Sequence, residues 1–141
     1  MNINVYNLHE DKWTGKGQYI GRPDVLGNPF VIGRDGDRKT ILEKYKGYLW
    51  PIVRSGLAGE FSGAPERLTD ALTARAKCCL RRGELTDPDL RRAVWLSLQA
   101  LLARAQAGEK LNLLCYCKPL GCHGDVLKSA LEWMAEQNLK R

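Results

Sequence analysis

The chain has 141 residues, 44% of them hydrophobic, enough for one core without disulfide support, so a single domain over residues 1–141 is expected. Lys and Arg outnumber Asp and Glu by 22 to 16, a net charge of +6 spread along the chain, which favours a small anionic partner over a dedicated nucleic-acid arm. Five cysteines, an odd number, no basic-then-apolar leader and no apolar run near the roughly eighteen residues of a spanning helix together argue against a disulfide framework, export and a membrane partner; a cytoplasmic location is expected.

Ile3 to Asn7 begins with apolar–polar alternation and carries β-branched and aromatic side chains, which predicts a strand. The next thirty residues hold Gly15, Gly17, Gly21, Pro23, Gly27, Pro29, Gly33 and Gly36. Only two very short strands, Gln18–Ile20 and Phe30–Ile32, fit between these breakers, and the rest reads as an ordered loop or a site. Asp37 is a helix cap, and Ile41, Leu42, Tyr45 and Leu49 recur at helical spacing until Pro51, which predicts a kinked or two-part helix. Residues 52–65, with Gly56, Gly59, Ser62 and Gly63, read as a mobile excursion.

A second helix is expected to open at Ser62–Pro65, to carry Leu68, Leu72, Ala76 and Cys79 on one stripe, and to stop at Gly83. Thr86-Asp-Pro-Asp89 starts a third, with Leu90, Val94, Leu98, Leu101 and Ala105 on one face and Gly108 as its stop. Leu111 to Cys117 is the mostly apolar run of a buried, central strand. A tight corner then leads to a last helix with Val126, Leu127, Ala130, Leu131 and Met134 facing inward. The fold class is therefore α/β: one small domain with a short, largely parallel sheet, about four helices, and a C-terminal unit of strand, Cys-rich corner and helix.

That corner, Cys115-Tyr-Cys117-Lys-Pro-Leu-Gly-Cys122-His123-Gly-Asp125, concentrates the chemistry. Cys115, Cys117, Cys122 and His123 offer three thiolates and an imidazole, a set compatible with tetrahedral zinc, although adjacent Cys122 and His123 make an awkward bite. Alternatively, the helix N-terminus depresses a nearby thiol pKa and attracts an anion, which makes Cys122 reactive. The cysteines equally suit a third role, as small hydrophobes filling a strand–helix corner. His123 is the better candidate acid–base group of the two histidines, and Asp125 either joins it or only complements the helix dipole. Upstream, Gly21-Arg-Pro23 to Gly27-Asn-Pro-Phe30 and on to Arg38 allows close backbone approach to a ligand, with Arg22, Arg34 and Arg38 available to phosphate or carboxylate. It is neither a Walker loop nor a dinucleotide fingerprint.

The blocks Gly21-Arg-Pro23, Gly27-Asn-Pro-Phe30, Asp35-Gly-Asp-Arg38 and Cys115-x-Cys-x4-Cys-His-Gly-Asp125 together resemble the domain of unknown function 4326 family, over nearly the whole chain. The resemblance implies a bacterial or phage protein, hence the cytoplasm of a bacterium or infected cell, and implies that the two end blocks meet at one cleft. On this reading Arg22, Asn28 and Arg38 position an anionic, nucleotide- or nucleoside-related ligand beside Cys117, Cys122, His123 and Asp125, in a site for binding or for group transfer or hydrolysis. The alternative is a metal-stabilised interaction module that engages a host protein or nucleic acid.

Overall fold

The computed structural model describes residues 1–62, 67–116 and 121–140. Among these residues the sheet has three strands, β1 (Asn2–Asn7), β2 (Gly17–Tyr19) and β3 (Lys110–Cys115), in the order β1-β3-β2 with both pairings parallel. β3 takes the middle because it is apolar on both faces: Leu111, Leu113, Leu114 and Cys115 are all buried. The register sets Asn7 opposite Cys115 and Tyr19 opposite Leu114, so all three strands finish at one end of the sheet. In an open parallel sheet that carboxyl end is where ligands bind. Asn112, buried in β3, donates through Nδ2 to the carbonyls of Thr14 (2.7 Å) and Lys16 (3.2 Å) and so ties the loop between β1 and β2 to the sheet.

Among the described residues there are four helices, α1 (Arg38–Leu57), α2 (Asp70–Arg82), α3 (Pro88–Gln106) and α4 (His123–Leu139). α3 and α4 lie on the strands, α1 packs on α4, and α2 packs on α3. Asp87 caps α3 and Pro88 occupies its first turn, as the sequence predicts. Trp50 of α1 meets Trp133 of α4 edge to face with ring centroids 5.3 Å apart, and a Cβ on Gly56 would run into the Trp95 ring of α3. Among the described residues no helix is long and apolar enough to cross a membrane.

Four expectations are corrected. α1 runs as one helix through Pro51, which removes the two-part alternative: Ile41, Tyr45, Leu49, Ile52 and Val53 form one buried stripe across it, and that burial outweighs the roughly 3 kcal/mol that an interior proline costs a helix. Residues 52–57, expected in a mobile excursion, are therefore helical, and residues 63–66 of that segment lie outside the described residues. The helix expected to open at Ser62–Pro65 starts instead at Asp70, where Thr69 Oγ1 accepts from the backbone N–H of Leu72 at 3.1 Å. Finally, Phe30–Ile32 is not a strand. The Val31 N–H donates to Asp35 Oδ2 (2.8 Å) and the Val31 carbonyl accepts from the Asp35 N–H (2.9 Å), so a turn uses the groups a sheet edge would need.

Candidate functional site

The carboxyl ends of β2 and β3 open onto the loop between Gly21 and Asp37. Past β2, the Ile20 N–H donates to the Leu114 carbonyl at 3.1 Å, which prolongs the pairing by one residue before the chain leaves the sheet. The loop then turns on its own polar groups. The N–H of Asp24 reaches the Gly21 carbonyl and that of Gly27 reaches the Asp24 carbonyl, both at 2.9 Å, and Asp24 Oδ2 accepts from Leu26. Tyr45 of α1, fully buried, donates its hydroxyl to the Leu26 carbonyl at 2.8 Å and anchors the loop from below. Tyr19 donates its hydroxyl to the Arg22 carbonyl at 2.9 Å.

Asn28 is 9% exposed, and its Oδ1 accepts from the Phe30 N–H at 2.9 Å in an Asx turn. Its Nδ2 has no hydrogen-bond partner among the described residues, so both N–H donors of that amide are left for a ligand or solvent. Asp37 caps α1 by accepting from Thr40, which puts Arg38 in the first turn, and Arg38 Nη1 donates to the Gly121 carbonyl at 3.3 Å. That contact joins the upstream loop to the residue before the Cys122 corner. Arg34 turns elsewhere, to Asp35 (2.9 Å) and the Pro29 carbonyl (3.1 Å).

Cys122 is the N-cap of α4, and its backbone N–H donates to Asp125 Oδ2 at 3.2 Å, one half of a capping box. Asp125 thus holds the helix start and faces the adjoining groove between α1 and α4. Gly124 lets that start approach the sheet, since a Cβ there would lie 2.7 Å from Val5 Cγ1 and 2.9 Å from Ile20 Cδ1. Cys122 Sγ lies 3.1 Å from Cys115 Sγ, and both residues are only 1% exposed. The hydrogen bond with Cys115 holds the Cys122 thiol pKa below its ordinary value; burial opposes this, and the backbone N–H groups of Asp125 and Gly124 add to it. The first-turn donors of the helix therefore stabilise negative charge on the thiol itself.

His123 is 6% exposed, stands edge to face on Tyr45, and has Nε2 2.6 Å from the Ile20 carbonyl. A carbonyl only accepts, so Nε2 carries the hydrogen and Nδ1 is the basic nitrogen. Burial pushes the imidazole pKa down, Arg22 adds to the shift, and the Ile20 hydrogen bond opposes it; the ring is neutral near pH 7. Among the described residues Cys115, Cys122 and His123 do not draw together as a three-ligand cluster, and Cys117, the fourth residue of the expected metal set, lies outside them.

A cleft of about 400 Å³ opens among these parts, at the lower end of the range typical of small-ligand sites. Its walls take in Arg22, Asn28, Arg38, Cys115, Cys122 and His123, six of the residues singled out in the sequence. Asp125 lies beside the cleft, and Cys117 is outside the described residues. The sequence reading missed Tyr19, Phe30 and Tyr116, which supply aromatic wall and rim. Tyr116 is 55% exposed and meets Tyr19 and His9 at centroid distances of 5.8 and 5.2 Å. Its signal was present: a large aromatic at the carboxyl end of the central strand, on the face opposite the cysteines.

A family model described as Domain of unknown function (DUF4326) matches residues 3–133, from β1 to well inside α4. No curated protein and no solved structure matches the chain.

Proposed function

Because the chain belongs to the family described as Domain of unknown function (DUF4326), its activity has to be read from the cleft, and we propose that the cleft binds a small anionic ligand related to a nucleotide or nucleoside. The observation that carries this is the composition of one wall. Arg22 and Arg38 both line the cleft, and no carboxylate pairs with either among the described residues. Beside them stand Asn28 Nδ2 and His123 Nδ1, neither with a partner among the described residues, on residues 9% and 6% exposed. A ligand can accept from Asn28 Nδ2 and donate a hydroxyl or N–H to His123 Nδ1. An anion with several acceptor oxygens suits two guanidinium forks and an amide donor.

The opposite character of the rim supports a base or nucleoside. Tyr19, Phe30 and Tyr116 give flat apolar faces, and Ile32, 49% exposed, sits at the edge. An exposed aromatic face is the surface on which a base stacks, worth about 1–3 kcal/mol per base. The catalytic part of the proposal is a group transfer or hydrolysis in which Cys122 supplies the nucleophile, His123 takes a proton through Nδ1 and Asp125 holds Cys122 at the helix start.

Calorimetric titration of the protein with nucleoside monophosphates, nucleosides and inorganic phosphate tests the binding. A nucleotide that binds wild type and loses at least tenfold in affinity in both Arg22→Ala and Arg38→Ala supports it, tenfold corresponding to about 1.4 kcal/mol. Equal binding in the Arg variants would place the ligand elsewhere.

A further inference from the structure

We propose that Cys115 and Cys122 form a redox site, an oxidisable dithiol on the cleft wall that a small hydroperoxide converts into an intramolecular disulfide. Their sulfurs are 3.1 Å apart and not bonded to each other, so closing to the roughly 2.05 Å of a disulfide takes about 1 Å of movement. They come from different elements, Cys115 from the last position of β3 and Cys122 from the cap of α4. Bonding them would pin the helix start to the central strand at the place where the cleft wall is made.

The two partners are chemically unequal, as an attacking and a resolving thiol must be. Cys122 is the one held toward thiolate by the Cys115 thiol and by the N–H groups of the helix start. The contrast lies on α2, where burial pushes the Cys79 thiol pKa up, which leaves it a poor nucleophile. Both cleft sulfurs belong to residues that are 1% exposed yet line the opening, so the oxidant that fits is small. A hydroperoxide is the class with the right size and electron count.

The Cys122 thiolate attacks one peroxide oxygen, the O–O bond breaks, and the products are a sulfenic acid on Cys122 and hydroxide or alkoxide, which takes up a proton. The Cys115 thiol then attacks the sulfenic sulfur, forming the S–S bond and releasing water. For hydrogen peroxide the sum is two thiols and one peroxide to one disulfide and two waters, with two electrons moving from sulfur to oxygen. A small dithiol reverses it by exchange.

The test treats the full chain with stoichiometric hydrogen peroxide, blocks the remaining thiols with an alkylating agent, and maps the linkage by peptide mass before and after dithiothreitol. The expected result is loss of two of the five thiols, a Cys115–Cys122 peptide pair, and full recovery on reduction. In Cys115→Ser the cross-link is absent and Cys122 is trapped as sulfenic acid by dimedone, whereas wild type gives little trapping. A cross-link to Cys117, to Cys78 or to Cys79, no thiol loss, or stoichiometric zinc that protects both thiols and is lost in Cys122→Ser would each overturn the proposal. Because the wild-type mapping needs no substitution, a variant that fails to fold leaves the result decisive.

Discussion

His123 Nε2 lies 2.6 Å from the carbonyl of Ile20, so the first residue of α4 is bonded to the residue that follows β2. The imidazole is buried and its pKa is pushed below the ordinary 6.5. The unfolded chain then takes up the proton at a higher pH than the folded one, and stability is fully present above about 6.5 and falls as the pH drops through the folded value. Thermal denaturation between pH 8 and pH 5 is expected to show the melting temperature of wild type falling below about pH 6.5. In His123→Gln the fall at this step is expected to shrink, from a lower starting stability. An identical pH profile in the variant would remove His123 as the group responsible.

The Cys122 thiol offers a second titration with a direct readout. Its pKa is lowered from the ordinary 9.0, chiefly by the Cys115 thiol. The rate of Cys122 alkylation by iodoacetamide, followed by peptide mass, should rise with a midpoint below 9, and in Cys115→Ala the midpoint should move up. A midpoint that does not respond to Cys115 would show that the thiol pair does not set the reactivity.

Two glycines are positions where a methyl group has no room. Gly124→Ala places a Cβ against Val5 and Ile20, and Gly56→Ala places one in the Trp95 ring. Each is expected to cost about 1–3 kcal/mol as overpacking, read from chemical denaturation. They differ in where they act: Gly124→Ala moves the start of α4, which carries Cys122 and His123, and should weaken ligand binding beyond its effect on stability. Gly56→Ala, on the far end of α1, should leave binding of the folded protein unchanged.

Salt dependence separates the two guanidinium groups from bulk charge. The net charge of +6 acts over about a Debye length, roughly 8 Å at physiological ionic strength, and is screened by salt. Binding carried by Arg22 and Arg38 in the cleft should fall only modestly between low and physiological salt, and Arg34→Ala should leave it unchanged, because Arg34 is already spent on Asp35. A steep loss for wild type with equal loss in Arg34→Ala would point to diffuse charge.

The architecture was legible where pattern and packing agree. Leu111 to Cys115 reads as a central strand because it is apolar on both sides, and α3 reads from Asp87-Pro88 because cap and stripe coincide. The two-part alternative for α1 failed because Pro51 is a strong local signal, while the stripe that overrides it continues beyond it to Ile52 and Val53. The strand expected at Phe30–Ile32 failed because period alone does not show that Asp35 takes up the Val31 N–H.

In the site, the two end blocks were visible as Gly, Pro, Arg and Cys, the residue types with unusual backbone or chemistry. The aromatic rim was less so: Tyr19 and Phe30 read as strand formers, and Tyr116, visible as an aromatic at the end of the central strand, joins them only when the ends of β2 and β3 are brought together. The meeting of Cys115 and Cys122 was legible, because a strand that turns at once into a helix brings its end to the helix start; the structure adds the 3.1 Å between their sulfurs.

The most direct test of the cleft as a nucleotide-related site is a calorimetric comparison of one nucleoside monophosphate, its nucleoside and inorganic phosphate on wild type, Arg38→Ala and Tyr116→Ala. The account predicts that the monophosphate binds best, that Arg38→Ala weakens the monophosphate and phosphate but spares the nucleoside, and that Tyr116→Ala weakens the two ligands that carry a base. No binding of any of the three, across the available bases, or binding indifferent to both substitutions, would contradict it.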